Sequence, residues 1–245
     1  MPACRLLIDE PADGAWNMAV DEVLLARAAE QGDWTLRLYG WREATVSLGY
    51  FQQLAERDGH APSRQCPLVR RASGGGAIVH DREITYSLAA PLGRAPDASR
   101  RLYRHIHAAL VDVLARLGVR ARLCEAAPRQ PASEPFLCFQ RHTAGDVLLG
   151  DAKIVGSAQR RRLDAVLQHG SLLLGRSPAA PELPGIESLT GLDLSIAQWS
   201  ALLSAAVTAA LHLRATPDTL SPAEREQAGR LARDKYGGAG WNHRK

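Results

Sequence analysis

Two residues with reactive side chains stand where packing alone does not explain them. Cys138 lies in Pro135-Phe136-Leu137-Cys138-Phe139, and Lys153 lies in Gly150-Asp151-Ala152-Lys153-Ile154-Val155-Gly156-Ser157-Ala158-Gln159-Arg160. A thiolate exchanges readily with thioesters and is then a good leaving group, so a loop cysteine suits acyl transfer from a thioester to an amine. The lysine sits between a turn and a small-residue segment, where its ammonium can orient an acyl carbonyl or favour the thiolate of a neighbouring thiol. Lysines are few and arginine supplies nearly all the positive charge; arginine cannot shed a proton. The plainer alternatives are a buried structural cysteine and a solvated turn lysine.

A second cluster is Arg70-Arg71-Ala72-Ser73-Gly74-Gly75-Gly76-Ala77-Ile78-Val79-His80-Asp81. Three successive glycines after a strand expose backbone N–H groups and let a ligand approach the main chain, and Arg70 and Arg71 add positive charge beside that surface. A glycine-rich hairpin turn is the competing reading, and neither nucleotide-binding glycine spacing is met. His80 and His169, the latter in Leu167-Gln168-His169-Gly170-Ser171, are further candidates, each equally readable as a histidine bonded to backbone. His105 and His107, two apart on a helix, face different ways and read as structural or surface residues. Cys4, Cys66 and Cys124 read as structural, and the four cysteines show no metal-like or disulfide spacing.

The elements that must position these residues follow from periodicity. Asn17 to Arg27 reads as an amphipathic helix stopped near Gly32, and 98–117 as another stopped at Gly118. Alternation at 35–39, 44–48, 67–71, 77–80 and 84–88 predicts strands, which resume at 146–149, 153–156, 166–167 and 171–174. Pro128 to Pro135 reads as a loop, 195–213 as a helix, and Ser221-Pro222-Ala223-Glu224 opens a last helix to about Lys235. Strands then helix, twice over, predicts an α+β fold in one domain over 1–245 with a C-terminal helical extension at about 221–245.

The 245 residues, 46% of them hydrophobic, suffice for one sizeable core. A net charge of +4, spread along the chain, does not by itself indicate nucleic acid and suits a negatively charged protein or a nucleotide partner equally. Neither a secretion signal nor a membrane-length apolar run is read, so a reducing cytoplasm is the expected setting.

Taken in order, these motifs resemble the lipoate and biotin attachment family, and within it the cysteine-dependent octanoyltransferases that act on a glycine-cleavage carrier protein. The segments that carry the resemblance include Asn17 to Glu22, Leu38 to Trp41, Ser47 to Gln52, the Arg-Arg-x-Ser-Gly-Gly-Gly-Ala run, Asp81 to Ser87 and Cys138-Phe139. Lys153 to Arg160, Leu167 to Ser171 and Lys235-Tyr236…Trp241-Asn242 complete them. The resemblance implies a mixed, mostly antiparallel sheet flanked by helices, like the catalytic domain of biotin and lipoyl protein ligases. It also implies an acyl tunnel between the glycine segment and the lysine strand. Cys138 would attack octanoyl-acyl carrier protein, Lys153 would favour the thiolate and handle protons, and backbone N–H groups of Gly156, Ser157 and Ala158 would receive the oxyanion. Arg70, Arg71, Ser73, Gly74, Gly75, Gly76, His80 and His169 would bind substrate. The acceptor would be an apo lipoyl domain or an H-type carrier, with no cofactor and no metal required. The alternatives are an ATP- and Mg-dependent lipoate–protein ligase, an amidotransferase between carriers, and a carrier-binding module without turnover. The loop 126–134 and the run Arg160-Arg161-Arg162 depart from the family pattern and leave the docking surface open.

Overall fold

The computed structural model describes residues 1–95, 97–126 and 135–244. The strand β1 (Ala3–Ile8) leads into α1 (Gly14–Gln31), followed by β2 (Trp34–Tyr39), β3 (Thr45–Leu48), β4 (Leu68–Arg70), β5 (Ile78–His80) and β6 (Glu83–Ala90). Then come α2 (Ala98–Arg116), β7 (Ala121–Leu123), β8 (Val147–Leu149), β9 (Ala152–Arg162) and β10 (Ala165–Leu173). The chain closes with α3 (Ile186–Thr190), α4 (Ile196–Ala210), β11 (Arg214–Pro217), α5 (Pro222–Leu231) and α6 (Ala239–Asn242). The predicted loop 128–135 lies, apart from Pro135, outside the described residues.

Eight strands form one sheet in the order β11-β1-β2-β6-β10-β9-β8-β7, and β4-β3-β5 form a second, smaller one. In the large sheet only β1 pairs in parallel, with β2 and β11; the other ladders run antiparallel, so the α+β class and the mostly antiparallel sheet are borne out. One face buries Leu36, Leu38 and Tyr86 under Ile106 and Leu110 of α2 and Trp199 and Leu203 of α4. The opposite face packs Leu7, Ala89 and Leu167 against Met18, Val20 and Leu24 of α1 and Ala228 of α5. The small sheet has its own core, which takes in Leu137 and Phe139 on either side of the thiol.

Local chemistry sets the boundaries. Asp13 caps α1 by accepting from the Trp16 N–H, and Gly32 ends it in the left-handed region at φ 76°. Ser221 and Glu224 form a reciprocal capping box that opens α5. The strands β9 and β10 run further than alternation predicts, because residues 157–162 pair along β10 as far as Arg162↔Ala165. Three arginines at the outer end hide the strand pattern; the ladder, not the side chains, holds them extended. Among the described residues no helix is long and apolar enough to cross a membrane.

Candidate active site

Cys138 opens a single 3-10 turn, Cys138–Gln140, just after the chain has bridged to the glycine segment. Its N–H donates to the Ala77 carbonyl at 2.7 Å while the Ala77 N–H donates to the Phe136 carbonyl at 3.0 Å, so two backbone bonds fix the thiol against Ser73–Ala77. The glycines there are steric requirements. A Cβ on Gly76 would stand 3.1 Å from the Cys138 nitrogen and 3.2 Å from the Phe136 oxygen. Gly75, at φ 94°, turns left-handed, and a Cβ on it would lie 3.9 Å from Cys138 Sγ and 3.6 Å from Arg71 Nη2. The Gly75 carbonyl leans against Gly49, where no side chain fits. Among the described residues, no carbonyl or side chain accepts from the N–H groups of Gly74, Gly75 or Gly76.

Lys153 reaches this thiol from β9, with Nζ 3.7 Å from Cys138 Sγ. The ammonium is buried and ion-paired at 2.8 Å with Oδ2 of Asp146, itself buried. Its other oxygen neighbours are the carbonyls of Arg141 at 3.3 Å and Cys138 at 3.4 Å. Asp146 is held in turn by the Tyr103 hydroxyl at 2.8 Å and the Thr143 N–H at 2.7 Å. The lysine stem crosses Gly156: a Cβ there would stand 2.9 Å from Nζ and closer still to Cε.

A second cation completes the site. Arg71 is buried and donates to the Ser47 carbonyl and hydroxyl, both at 2.6 Å, and to the Gly76 and Gly74 carbonyls at 2.9 and 3.2 Å. Burial pulls its guanidinium down to about 10, and the negative charge that Cys138 can carry opposes that shift. The other cysteines are unsuited: burial pushes the Cys4 thiol up to about 11 and raises that of Cys66, while Cys124 is buried against the Ala126 carbonyl.

His80 stands one layer back, stacked on Trp41 at 3.8 Å between ring centres and bonded to the Ser47 hydroxyl at 2.7 Å. Burial lowers its pKa, so the ring sits neutral behind Arg71. On the other side of the glycine segment, His169 Nε2 lies 2.5 Å from Ser73 Oγ and His169 Nδ1 lies 3.2 Å from Asp21 Oδ2. Ser73 and His169 line a partly open cavity of about 280 Å³ with Met18, Leu25, Tyr50 and Leu167. A small void beyond it, of about 20 Å³, shares Met18 and His169 and touches Arg71.

Several expectations need revision. Arg70 is turned away from the site: its buried guanidinium donates to the carbonyls of Gly49, Gln52 and Asn242 at 2.9, 2.6 and 3.0 Å and ties down the C-terminal segment. Gly156, Ser157 and Ala158, expected to supply oxyanion donors, are ladder positions of β9, opposite Ser171, Gly170 and His169. Gly156 makes room for Lys153. The Ser157 hydroxyl is spent on Tyr86 and His107 at 2.6 Å each. Among the described residues, neither the cavity that touches Ser73 nor the void that touches Arg71 is lined by Cys138 or Lys153. Of the pair on α2, His107 is buried and His105 exposed. The arginine run divides: Arg162 pairs with Glu30, Arg161 bonds Ser99, and Arg160 lies over the Tyr50 ring.

Asp21 and Asp146 were missed by sequence reasoning. Asp21 carried a signal, since Asn17 and Asp21 fall at i,i+4 on the face of α1 that also presents Leu24 and Leu25 to the core. Asp146 carried none. Among the described residues no group of three or more His, Cys, Asp or Glu side chains is arranged to hold a metal ion.

The structure thus sets a thiol beside a buried lysine and a glycine turn, on a mixed sheet between helix layers. The chain belongs to the lipoyl protein ligase A/B catalytic domain family, whose model matches residues 13–180. It is 35% identical to octanoyltransferase LipM of Kyrpidia tusciae, over 100% of both chains, and 35% identical to octanoyltransferase LipM of Symbiobacterium thermophilum, over 98% of both. Among solved structures it resembles lipoate-protein ligase A bound with ATP, with a TM-score of 0.80 and 25% identity over 99% of both chains. It also shares the fold of the bi-partite lipoate protein ligase of Thermoplasma acidophilum, with a TM-score of 0.80 and 24% identity over 100% of this chain and 99% of that one.

Proposed function

We propose that this chain is an octanoyltransferase of lipoate biosynthesis that carries the acyl group on Cys138. The observation that carries the reading is Lys153 Nζ at 3.7 Å from Cys138 Sγ, with the Arg71 guanidinium on the glycine side. Positive charge beside a sulfur stabilises the thiolate nucleophile, and the same cations receive the thiolate when it leaves again. In the first half-reaction the sulfur attacks the thioester carbonyl of octanoyl-acyl carrier protein and the pantetheine thiol departs. In the second, a lysine amine of an apo lipoyl domain or H-type carrier attacks the acyl-Cys138 carbonyl, the C–N bond forms and the C–S bond breaks. The unengaged N–H groups of Gly74 to Gly76 are better placed than those of β9 to receive the oxyanion, because they flank the sulfur outside any ladder. Both steps are exchanges at a thioester, and neither calls for nucleotide or metal. A reducing cytoplasm would keep the thiol free.

The test is incubation with octanoyl-acyl carrier protein and an apo lipoyl domain, without nucleotide. The expected result is octanoyl on the acceptor lysine and a hydroxylamine-sensitive octanoyl adduct on the Cys138 peptide, both lost in Cys138→Ser. Full activity with an unmodified Cys138 would overturn the mechanism. Attachment of free lipoate only with ATP would make the chain a ligase, and transfer only from an octanoylated carrier would make it an amidotransferase.

A further inference from the structure

The first half-reaction needs a donor brought up to Cys138, and the turn Gly49–Gln52 marks an approach to it. The Gly49 N–H donates to Gln52 Oε1 at 3.0 Å and the Tyr50 N–H to the Ser73 carbonyl at 2.8 Å. Gln52 Nε2 in turn donates to the Phe136 carbonyl at 3.4 Å. The turn is thereby fixed both to the glycine segment and to the chain that enters Cys138. Phe51, on this turn, is 82% exposed. Its ring lies 3.8 Å from where a Cβ on Gly74 would stand, and a Cβ on the next residue, Gly75, would stand 3.9 Å from Cys138 Sγ. A lone exposed ring is unremarkable in a protein surface, but this one borders a cluster of cations.

Tyr50 gathers them. Arg244 Cζ lies 3.6 Å and Arg160 Cζ 5.4 Å from the centre of its ring. Trp241 meets Tyr50 edge-on at 5.8 Å and carries Lys235 Nζ at 4.2 Å over its own ring. The bond and charge of Arg244, with the charges of Arg160 and Lys235, lower the pKa of the Tyr50 hydroxyl, so the three cations act at one point. Lys235 is paired with Glu22 at 2.6 Å. Among the described residues neither Arg160 nor Arg244 is paired with a carboxylate, whereas Arg162, in the same run as Arg160, is held by Glu30. Tyr50, Trp241, Arg160 and Lys235 also line the partly open cavity of about 280 Å³.

We propose that Tyr50, Phe51 and Trp241, with Arg160, Lys235 and Arg244, form the docking surface for the acyl donor, a carrier protein whose acyl group hangs on a phosphopantetheine arm. The arm's phosphodiester would lie against the cations and its pantetheine would cross Phe51 to the thiol. This rests on the acyl-Cys138 reading and assigns where its donor lands. Charge decides the occupant. The phosphodiester is a permanent anion at the protein end of the arm and the thioester is at the far end; the surface presents cations at Tyr50 and the sulfur beyond Phe51, in the same order. An acceptor lysine arrives as an ammonium, with an ordinary pKa near ~10.4, and the same cations repel it. Aromatic rings and arginines are the side chains that anchor protein interfaces, and complementary charge sets the encounter.

The experiment compares two donors, octanoyl-acyl carrier protein and octanoyl-pantetheine, which has neither the phosphate nor the protein. Acylation of Cys138 is followed by mass spectrometry at varied donor concentration. Arg160 is exposed, so Arg160→Glu should fold. Its expected effect is a KM for the carrier donor raised about tenfold with kcat within about twofold, and a ratio of kcat/KM between the two donors lowered about tenfold. Arg244→Ala, which removes a charge without reversing it, should lower the ratio about threefold, and Phe51→Ala about fivefold. Added salt should lower the wild-type kcat/KM for the carrier donor and not that for octanoyl-pantetheine, because exposed charges are screened; Arg160→Glu should flatten that dependence. An equal fall with both donors, or a carrier KM unmoved by Arg160→Glu, would overturn the surface. So would normal loading with slowed discharge of acyl-Cys138 to an apo lipoyl domain, which would give the surface to the acceptor. Absence of any wild-type adduct on Cys138 from either donor would sink the thioester reading instead.

Discussion

Replacing Gly156 by alanine tests whether this glycine exists to let Lys153 reach the thiol. The added methyl would stand 2.9 Å from Lys153 Nζ and closer to Cε, where carbon contacts need roughly 3.5–4.0 Å. The obstructing atoms are the end of a flexible side chain, so the ladder stays and the ammonium moves by about 1 Å or more. Nζ is 3.7 Å from Cys138 Sγ and 2.8 Å from Asp146 Oδ2, and neither contact survives such a shift with its present geometry. A misplacement of this size costs on the order of 100-fold in rate. The expected outcome for Gly156→Ala is an acyl-Cys138 formation rate down about 100-fold, about 2.7 kcal/mol at 1.36 kcal/mol per decade, with circular dichroism and gel-filtration behaviour unchanged. If the effect runs wholly through the lysine, Gly156→Ala combined with Lys153→Ala should be no slower than Lys153→Ala alone. A double variant slower by the full product, or a Gly156→Ala chain acylated at the wild-type rate, would refute the argument.

Two further outcomes follow from residues outside the reacting atoms. Arg70→Ala takes the guanidinium donors from the carbonyls of Gln52 and Asn242 and leaves that of Gly49 with only the Gln52 N–H, and should cost about 3–5 kcal/mol in urea unfolding. Rapid hydrogen exchange should appear at 239–244, while acylation by the folded fraction should fall less than about fivefold; a stable chain with abolished acylation would return Arg70 to the site. His107 donates from Nδ1 to the Gly145 carbonyl and accepts from Ser157, both at 2.6 Å, and burial pushes its pKa down to about 4. Unfolded it titrates near ~6.5, so its contribution is fully present above that pH and is lost as pH falls toward the folded value. Wild type should therefore lose about 2 kcal/mol between pH 7 and pH 5 through this residue. Urea midpoints for His107→Asn should have a correspondingly shallower acid slope, and equal slopes would contradict the assignment.

The elements of this protein were legible in its sequence because their signals are local. Periodicity, Gly32 and the Ser221 cap mark helices that depend on residues a turn apart, and alternation marks the central strands. The end of the β9–β10 hairpin was not legible, because Arg160 to Arg162 are held extended by a partner strand and not by their own pattern. The candidate site divides in the same way. The sequence by itself determined that a thiol, an amine and a flexible glycine turn are present, and the chemistry those groups allow follows from their types. Only the tertiary structure decided which groups meet: that Arg71 holds the carbonyls of the glycine turn while Arg70 clamps the C-terminus, that Asp146 pairs with Lys153, and that Asp21 stands behind His169 and Ser73. Adjacent residues on a strand point to opposite faces, and a buried charge takes whatever partner the packing of distant elements brings within reach.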